Sequence, residues 1–142
     1  MEVRVATPRD ARELWGLNAL FGNDAPCEAI EKSLVENDRE IVCIAYIDGE
    51  AAGYCSGLIV KSMCYQEDRA DVEALYVKEE HRRRGIGEAL MECLETALIE
   101  RGIRHFHINT YADNKKAARA LYKKLGYEET GEILMDKSVP SR

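Results

Sequence analysis

The sequence predicts an α/β fold on a mixed sheet, and three observations carry that reading. In the latter half the apolar period switches repeatedly: Ala70 to Val77 alternates as a strand, while Glu88 to Arg101 carries apolar side chains at 90, 93, 94, 97 and 98. Ile103 to Thr110 is again β-like, positions 117, 118, 121, 122 and 125 form a second helical stripe, and a final strand begins near Tyr127. Strand, helix, strand, helix, strand favours a crossover with parallel pairing. In the first half, the β-rich runs 41–47 and 51–60 are joined by Asp48-Gly49-Glu50, which reads as an antiparallel hairpin. Finally, 142 residues with 46% apolar content correspond to one domain, 1–142, around one core. The longest apolar run, the seven residues Ile41 to Ile47, falls far short of the roughly 20 that cross a bilayer, so no membrane association is expected.

Taken in order, Val3 to Ala6 reads as a short strand. Thr7-Pro8-Arg9-Asp10 then supplies a capping hydroxyl, a proline at the first helical position and an acid in the first turn. The helix this opens runs to about Leu20, with Ala11, Leu14, Trp15 and Asn18 facing inward, the Asn a polar intruder at helical spacing. Pro26 opens a second helix, with Ile30, Leu34 and Val35 inward, ending near Asn37. After the hairpin and the polar loop 61–69 comes Ala70 to Val77. Simple alternation there puts Asp71, Glu73, Leu75 and Val77 on one side and Val72, Ala74 and Tyr76 on the other. Gly102 and Gly126 stop the two later helices, the second of which Asp113 or Asn114 caps.

Charge narrows the function. The net charge of −6 disfavours nucleic acid as a partner, yet residues 1–80 hold 8 Lys/Arg against 17 Asp/Glu and residues 81–142 hold 12 against 9. A cationic ligand suits the first half and an anionic one the second. The five cysteines include no Cys-x-x-Cys pair, and no signal-peptide pattern opens the chain, so reduced thiols and a cytoplasmic location are expected.

The most informative segment is Val72-Glu-Ala-Leu-Tyr-Val-Lys-Glu-Glu-His-Arg-Arg-Arg-Gly-Ile-Gly-Glu88, a strand that passes through an Arg/Gly-rich turn into an amphipathic helix. Gly85 and Gly87 let backbone approach a ligand, and the free N–H groups of a helix start favour an anion such as phosphate. Arg82, Arg83 and Arg84 add attraction. The Walker spacing is absent, and Leu90 occupies the third-glycine position of a dinucleotide fingerprint.

Arg82-x-x-Gly85-x-Gly87 after a strand resembles the acetyl-CoA signature of the GNAT superfamily of N-acetyltransferases. Asn114-x-x-Ala117-x-x-Leu121-Tyr122-x-x-Leu125-Gly126-Tyr127 is similar to that family's later cofactor-binding helix and the strand after it. The resemblance implies the GNAT acyl-CoA N-acyltransferase fold, a mixed, mostly antiparallel sheet flanked by about four helices. It implies acetyl-CoA in a V-shaped opening between the strand ending at Val77 and the one starting near Ile103. Pantetheine would lie along Leu75, Tyr76 and Val77, and the pyrophosphate would take N–H groups from Arg83, Arg84, Gly85, Ile86 and Gly87 and from the helix start at Glu88. Asn114 and Ala117 would adjoin the pantetheine arm, and Tyr122 would protonate the departing thiolate.

An amine acceptor arrives as ammonium and must lose a proton before it attacks, so a carboxylate near the opening has a role. Glu73 leads, with Asp71 its rival, and either acid can instead hold a cationic acceptor. His105 and His107 share a strand face but supply two ligands without a third, and no metal is expected. Cys43, Cys55 and Cys93 fall at apolar positions and read as small hydrophobes. The expected activity is acetyl transfer from acetyl-CoA to a primary amine: a polyamine, an aminoglycoside, or a peptide or protein amine. A non-catalytic acyl-CoA-binding regulatory module is the alternative. Dimers are common in the family.

Overall fold

The computed structural model describes residues 1–110 and 116–141. Five strands among them, β1 (Glu2–Val5), β2 (Glu40–Ile47), β3 (Glu50–Val60), β4 (Arg69–Val77) and β5 (Phe106–Ile108), form one sheet in chain order. All neighbours run antiparallel except β4 and β5, which are parallel and linked by the crossover helix α3 (Ile86–Glu100). Helices α1 (Ala11–Phe21) and α2 (Cys27–Glu36) lie between β1 and β2 in the chain.

Asp48 and Gly49 both take positive φ, 49° and 80°, while Ile47 pairs with Glu50. That is the two-residue turn whose twist matches the flanking strands, and Gly at its second position avoids the Cβ penalty. At the start of α1, Asp10 serves twice. Its carboxylate accepts the Thr7 N–H (2.8 Å) and the Tyr46 hydroxyl (2.7 Å), and receives Arg4 through two further bonds (2.7 and 2.9 Å). The chain around Pro8–Asp10 forms one 3-10 turn before α1 proper begins.

Each face of the sheet has its own helix layer. The Cys55 thiol donates to the Leu90 carbonyl of α3 (3.3 Å), and a Cβ on Gly57 would sit 3.2 Å from Leu94, so these positions of β3 face α3. On the other face Leu14 and Leu17 of α1 pack with Ile44, Ala51, Tyr54 and Ala74, and Ile30 and Leu34 of α2 lean on this cluster. The inward stripe of α1 is thus Ala11, Leu14 and Leu17 rather than the expected Ala11, Leu14, Trp15 and Asn18. Trp15 is 47% exposed because it lies one residue, roughly 100°, round the helix from Leu14, the middle of the buried stripe. Val35 is likewise exposed.

One expectation for β4 fails for a definite reason. Register passes from Ser56↔Ala74 to Gly57↔Val72, which leaves Glu73 as the extra residue of a β-bulge. Opposed residues share a face and successive ones alternate. Val72 therefore sits with Leu75 and Val77 on the α3 side, and Asp71 sits with Ala74 and Tyr76 on the α1 side, against the simple alternation.

A second compact unit covers residues 109–142. Its helix α4 (Lys116–Lys124) ends where Gly126 adopts φ 97° and the Tyr127 N–H donates to the Tyr122 carbonyl, the left-handed stop its glycine predicts. The strand expected near Tyr127 is absent. Residues 127–141 form neither helix nor strand, and Ile133, Leu134 and Met135, the only apolar run there, stay exposed with no face to bury. Among the described residues no helix is long and apolar enough to cross a membrane.

Candidate active site

β5 pairs with β4 only from Ala70↔Phe106 to Val72↔Ile108, whereas β4 continues to Val77. Beyond the bulge, Glu73 to Val77 thus has no strand on that side among the described residues, and alternate backbone N–H and C=O groups along it are open to an extended ligand. On its other side β4 is clamped unusually tightly to β3. A Cβ on Gly53 would lie 2.7 Å from the Tyr76 carbonyl oxygen, an approach that only glycine permits. The expected pantetheine partners Leu75, Tyr76 and Val77 all belong to this half-paired segment.

After Val77 the chain makes a single 3-10 turn, Glu79–His81, and enters the Arg-rich loop. Arg82 Nε donates to the Val77 carbonyl (2.9 Å) and its guanidinium lies 5.7 Å from the Tyr76 ring centroid, so this arginine braces the end of β4. Arg83 (φ 66°) and Gly85 (φ 77°) are both left-handed, one residue apart, immediately before α3. Arg83 and Gly85 thus supply the left-handed members of an anion nest, in which successive N–H groups turn to one side, and the first N–H groups of α3 have no partner within the helix. The space in front of Gly85 is clear, since a Cβ there would meet nothing within 4 Å. α3 starts at Ile86, two residues before the expected Glu88, so Ile86, Gly87 and Glu88 all belong to its first turn. Arg83 and Arg84 are exposed, as a long-range attractive role requires.

The two candidate bases stand in different surroundings. Asp71 is engaged: its Oδ1 receives Arg69 Nε at 3.3 Å and lies 3.7 Å from His107 Nδ1. Glu73 is exposed at the bulge and makes no hydrogen bond or ion pair among the described residues. Close to it is a group that the sequence does not announce. Tyr54 is buried, its hydroxyl donates to Asn18 Oδ1 (2.6 Å), and Phe21 stands between the Tyr54 and Tyr76 rings at 6.4 and 5.4 Å. Burial above all, with a smaller contribution from charges that include Glu73, pushes the Tyr54 phenol up to about 12. The one sequence signal for this cluster is Asn18, polar at an otherwise helical-core position.

Within the second unit, Tyr122 is the buried residue of α4 and its ring centroid lies 6.0 Å from that of Tyr127. Ala117 is exposed in the first turn of α4, and Asn114 lies outside the described residues. Cys43 and Cys55 oppose one another across β2 and β3 on the α3 side, and Cys93 is half-buried on α3. Burial, followed by hydrogen bonding to Cys43, raises the Cys93 thiol to about 12, which suits packing and not nucleophilic attack.

Comparison with known proteins agrees with this arrangement. The family model described as the acetyltransferase (GNAT) family matches residues 10–127. An aminoglycoside acetyltransferase from an uncultured soil metagenomic sample has a similar structure (TM-score 0.83, 26% identity, 99% of this chain and 98% of that one). So has AAC(6')-Iy in complex with a bisubstrate analogue, CoA-S-monomethyl-acetylneamine (TM-score 0.83, 20% identity, 98% of each chain). A ribosomal-protein-alanine N-acetyltransferase from Brucella melitensis biovar Abortus 2308 is similar at TM-score 0.78 and 20% identity, over 97% of this chain and all of that one. With a family match over most of its length, a mixed sheet that opens beyond a bulge in β4, and two left-handed residues just before α3, the chain belongs to the GNAT family of acetyltransferases.

Proposed function

We propose that the protein transfers the acetyl group of acetyl-CoA to a primary amine by direct attack in a ternary complex. The half-paired end of β4 running straight into the anion nest carries this reading, because pantetheine is extended and amide-rich while the pyrophosphate is doubly charged. Leu75, Tyr76 and Val77 line the pantetheine, and the backbone from Arg83 through Arg84, Gly85, Ile86 and Gly87 to Glu88 takes the pyrophosphate. By the family resemblance alone, Asn114 and Ala117 match the positions that touch the pantetheine arm.

Glu73 accepts a proton from the acceptor ammonium, directly or through water. The freed amine nitrogen then bonds to the thioester carbonyl carbon, and the C–S bond breaks as the tetrahedral adduct collapses. Tyr122 donates its phenolic proton to the leaving thiolate, the second proton that the nitrogen sheds as it becomes an amide passes through water to the Tyr122 phenolate, and Glu73 releases its own proton to solvent. Asp71, held by Arg69 and near His107, orients the acceptor side instead of taking the proton. No covalent enzyme intermediate is needed.

A cationic acceptor, of the polyamine or aminoglycoside type, is favoured by the acidic balance of residues 1–80 and by structural neighbours that are themselves aminoglycoside acetyltransferases. A single domain over 1–142 and a cytoplasmic location belong to the same proposal. Acetyl-CoA should raise the thermal midpoint of the protein, and a panel of amines should reveal thiol release with at least one cationic member. Stabilisation by acetyl-CoA with no thiol release from any amine would leave a regulatory acyl-CoA-binding module, and no stabilisation would remove the cofactor assignment.

A further inference from the structure

Glu50, the first residue of β3, and the turn Glu79–His81 after β4 are tied together by the Lys78 N–H, which donates to the Ala52 carbonyl at 2.8 Å. At this junction His81 is only 9% exposed, and both its ring nitrogens are shut off from solvent without a hydrogen-bond partner among the described residues. Every imidazole has two nitrogens that seek partners, and native interiors rarely leave both unmet. His81 Nε2 faces Glu50 Oε2 across 3.8 Å, and one ligand atom from each of Glu50, Glu80 and His81 lies within 4.8 Å of the other two.

That gap decides what fits. It exceeds the roughly 3.2 Å limit of an N–H···O hydrogen bond, and it falls short of the roughly 4.5 Å spanned by two hydrogen bonds meeting at a bridging water. An ion with bonds of about 2.0–2.1 Å to nitrogen and oxygen holds its ligands about 3.4 Å apart at a tetrahedral angle, and up to about 4 Å at wider ones, so Glu50 and His81 already stand within span and the exposed Glu80 side chain closes in by rotation. The carboxylate is also pre-aimed: Lys78 Nζ holds Glu50 Oε1 at 3.2 Å, which leaves Oε2 turned to the imidazole.

We propose that Glu50, Glu80 and His81 form a binding site for a divalent first-row transition ion such as Zn²⁺, with water completing its coordination. The imidazole selects such an ion over Mg²⁺ or Ca²⁺, which prefer all-oxygen shells, and the two carboxylates balance its charge. The bound ion fastens the β2–β3 turn to the segment that leads into the Arg82–Gly85 loop. None of its three ligands belongs to the residues assigned above to acetyl-CoA or the acceptor, so its role is to brace the loop.

The test is calorimetric titration of Zn²⁺ into full-length protein carrying His105→Ala, His107→Ala and Cys64→Ser. These changes remove an exposed imidazole pair, Nε2 to Nε2 2.9 Å, and an exposed thiol that would compete for the metal. One Zn²⁺ per chain is expected, with a rise in thermal midpoint that EDTA reverses. In the same background Glu80→Gln and Glu50→Gln should each weaken binding at least about tenfold, and His81→Asn should abolish it. The two Glu variants change exposed side chains, so they report on the site even if the His81 variant fails to fold. No saturable binding, or one Zn²⁺ bound as tightly after Glu80→Gln and Glu50→Gln, overturns the proposal.

Discussion

Glu73 and Asp71 carry the same charge two positions apart on one strand, yet only one of them is free to take a proton. Asp71 shares its carboxylate with Arg69 and the His107 ring, while the bulge sets Glu73 outward with no such claim on it. Glu73→Gln should therefore lower kcat/KM at neutral pH by about 10²-fold or more, the usual worth of general base catalysis. Much of that loss should return as pH rises and the acceptor deprotonates on its own, whereas Asp71→Asn should change KM more than kcat. A Glu73→Gln enzyme with the parent's pH–rate profile would exclude Glu73 as the base. A second residue-scale prediction concerns Asp10. Hydrogen bonds from Arg4 above all, opposed by burial and helped by the Thr7 N–H and Tyr46, hold its carboxyl well below the ordinary carboxylate range. A folded-state value below the unfolded one stabilises the fold fully above the unfolded value of about 3.9, and that contribution fades as pH falls further toward the folded value. Asp10→Asn should cost about 2–3 kcal/mol at pH 7, toward the low end for a broken buried pair because Arg4 is 37% exposed. Denaturant melts should show the gap between parent and variant closing between pH 4 and more acidic solution, and a gap constant with pH would mean that packing and not charge is responsible.

At the scale of elements, the loop before α3 matters through its backbone more than through its arginines. Arg82 is spent on the Val77 carbonyl and the Tyr76 ring, and the two left-handed residues Arg83 and Gly85 shape the nest. Gly85→Asp adds a Cβ at φ 77° and a negative charge where pyrophosphate should bind, and should weaken acetyl-CoA binding by about tenfold or more. Gly85→Ala carries the backbone strain without the charge, so comparing the two by calorimetry on folded proteins separates the effects. Equal affinity in parent and Gly85→Asp would remove the nest from the site. This loop was legible because glycines, arginines and a helix start are all local signals. So was the hairpin at Asp48-Gly49, whose two positive φ angles follow from the residue types. The bulge at Glu73 was not, because it arises from pairing with β3, where Gly53 and Gly57 allow close approach to β4 and α3. Nor was the Phe21–Tyr54–Tyr76 cluster, assembled from three elements far apart in sequence. The strand read near Tyr127 failed for the converse reason: the helix stop at Gly126 marks where a new segment begins but says nothing about whether a sheet edge will be there to receive it.

Over the whole molecule the charges divide by sequence, acidic residues prevailing through position 80 and basic ones slightly thereafter. In the proposed reaction the first half supplies most of the acceptor side, including Asn18, Phe21, Tyr54, Asp71 and Glu73, and the Arg82–Arg84 run attracts the anionic cofactor. Two reactants of opposite sign are then drawn to different parts of one surface, which speeds both encounters without placing the charges in contact. Many of the 17 early acids are exposed, so their joint field acts through water and is screened within about 8–10 Å at ordinary salt. The consequence is kinetic and can be measured. Raising salt from about 0.02 to 0.5 M shortens the Debye length several-fold, so KM for a polycationic acceptor should rise severalfold while kcat, governed by groups inside the opening, changes little. A monocationic acceptor of similar size should show a smaller rise, since the attraction scales with its charge. A best acceptor that proves neutral or anionic, or whose KM ignores salt, would show that the acidic half has no part in acceptor capture, and the acetyl-CoA half of the mechanism would stand without it.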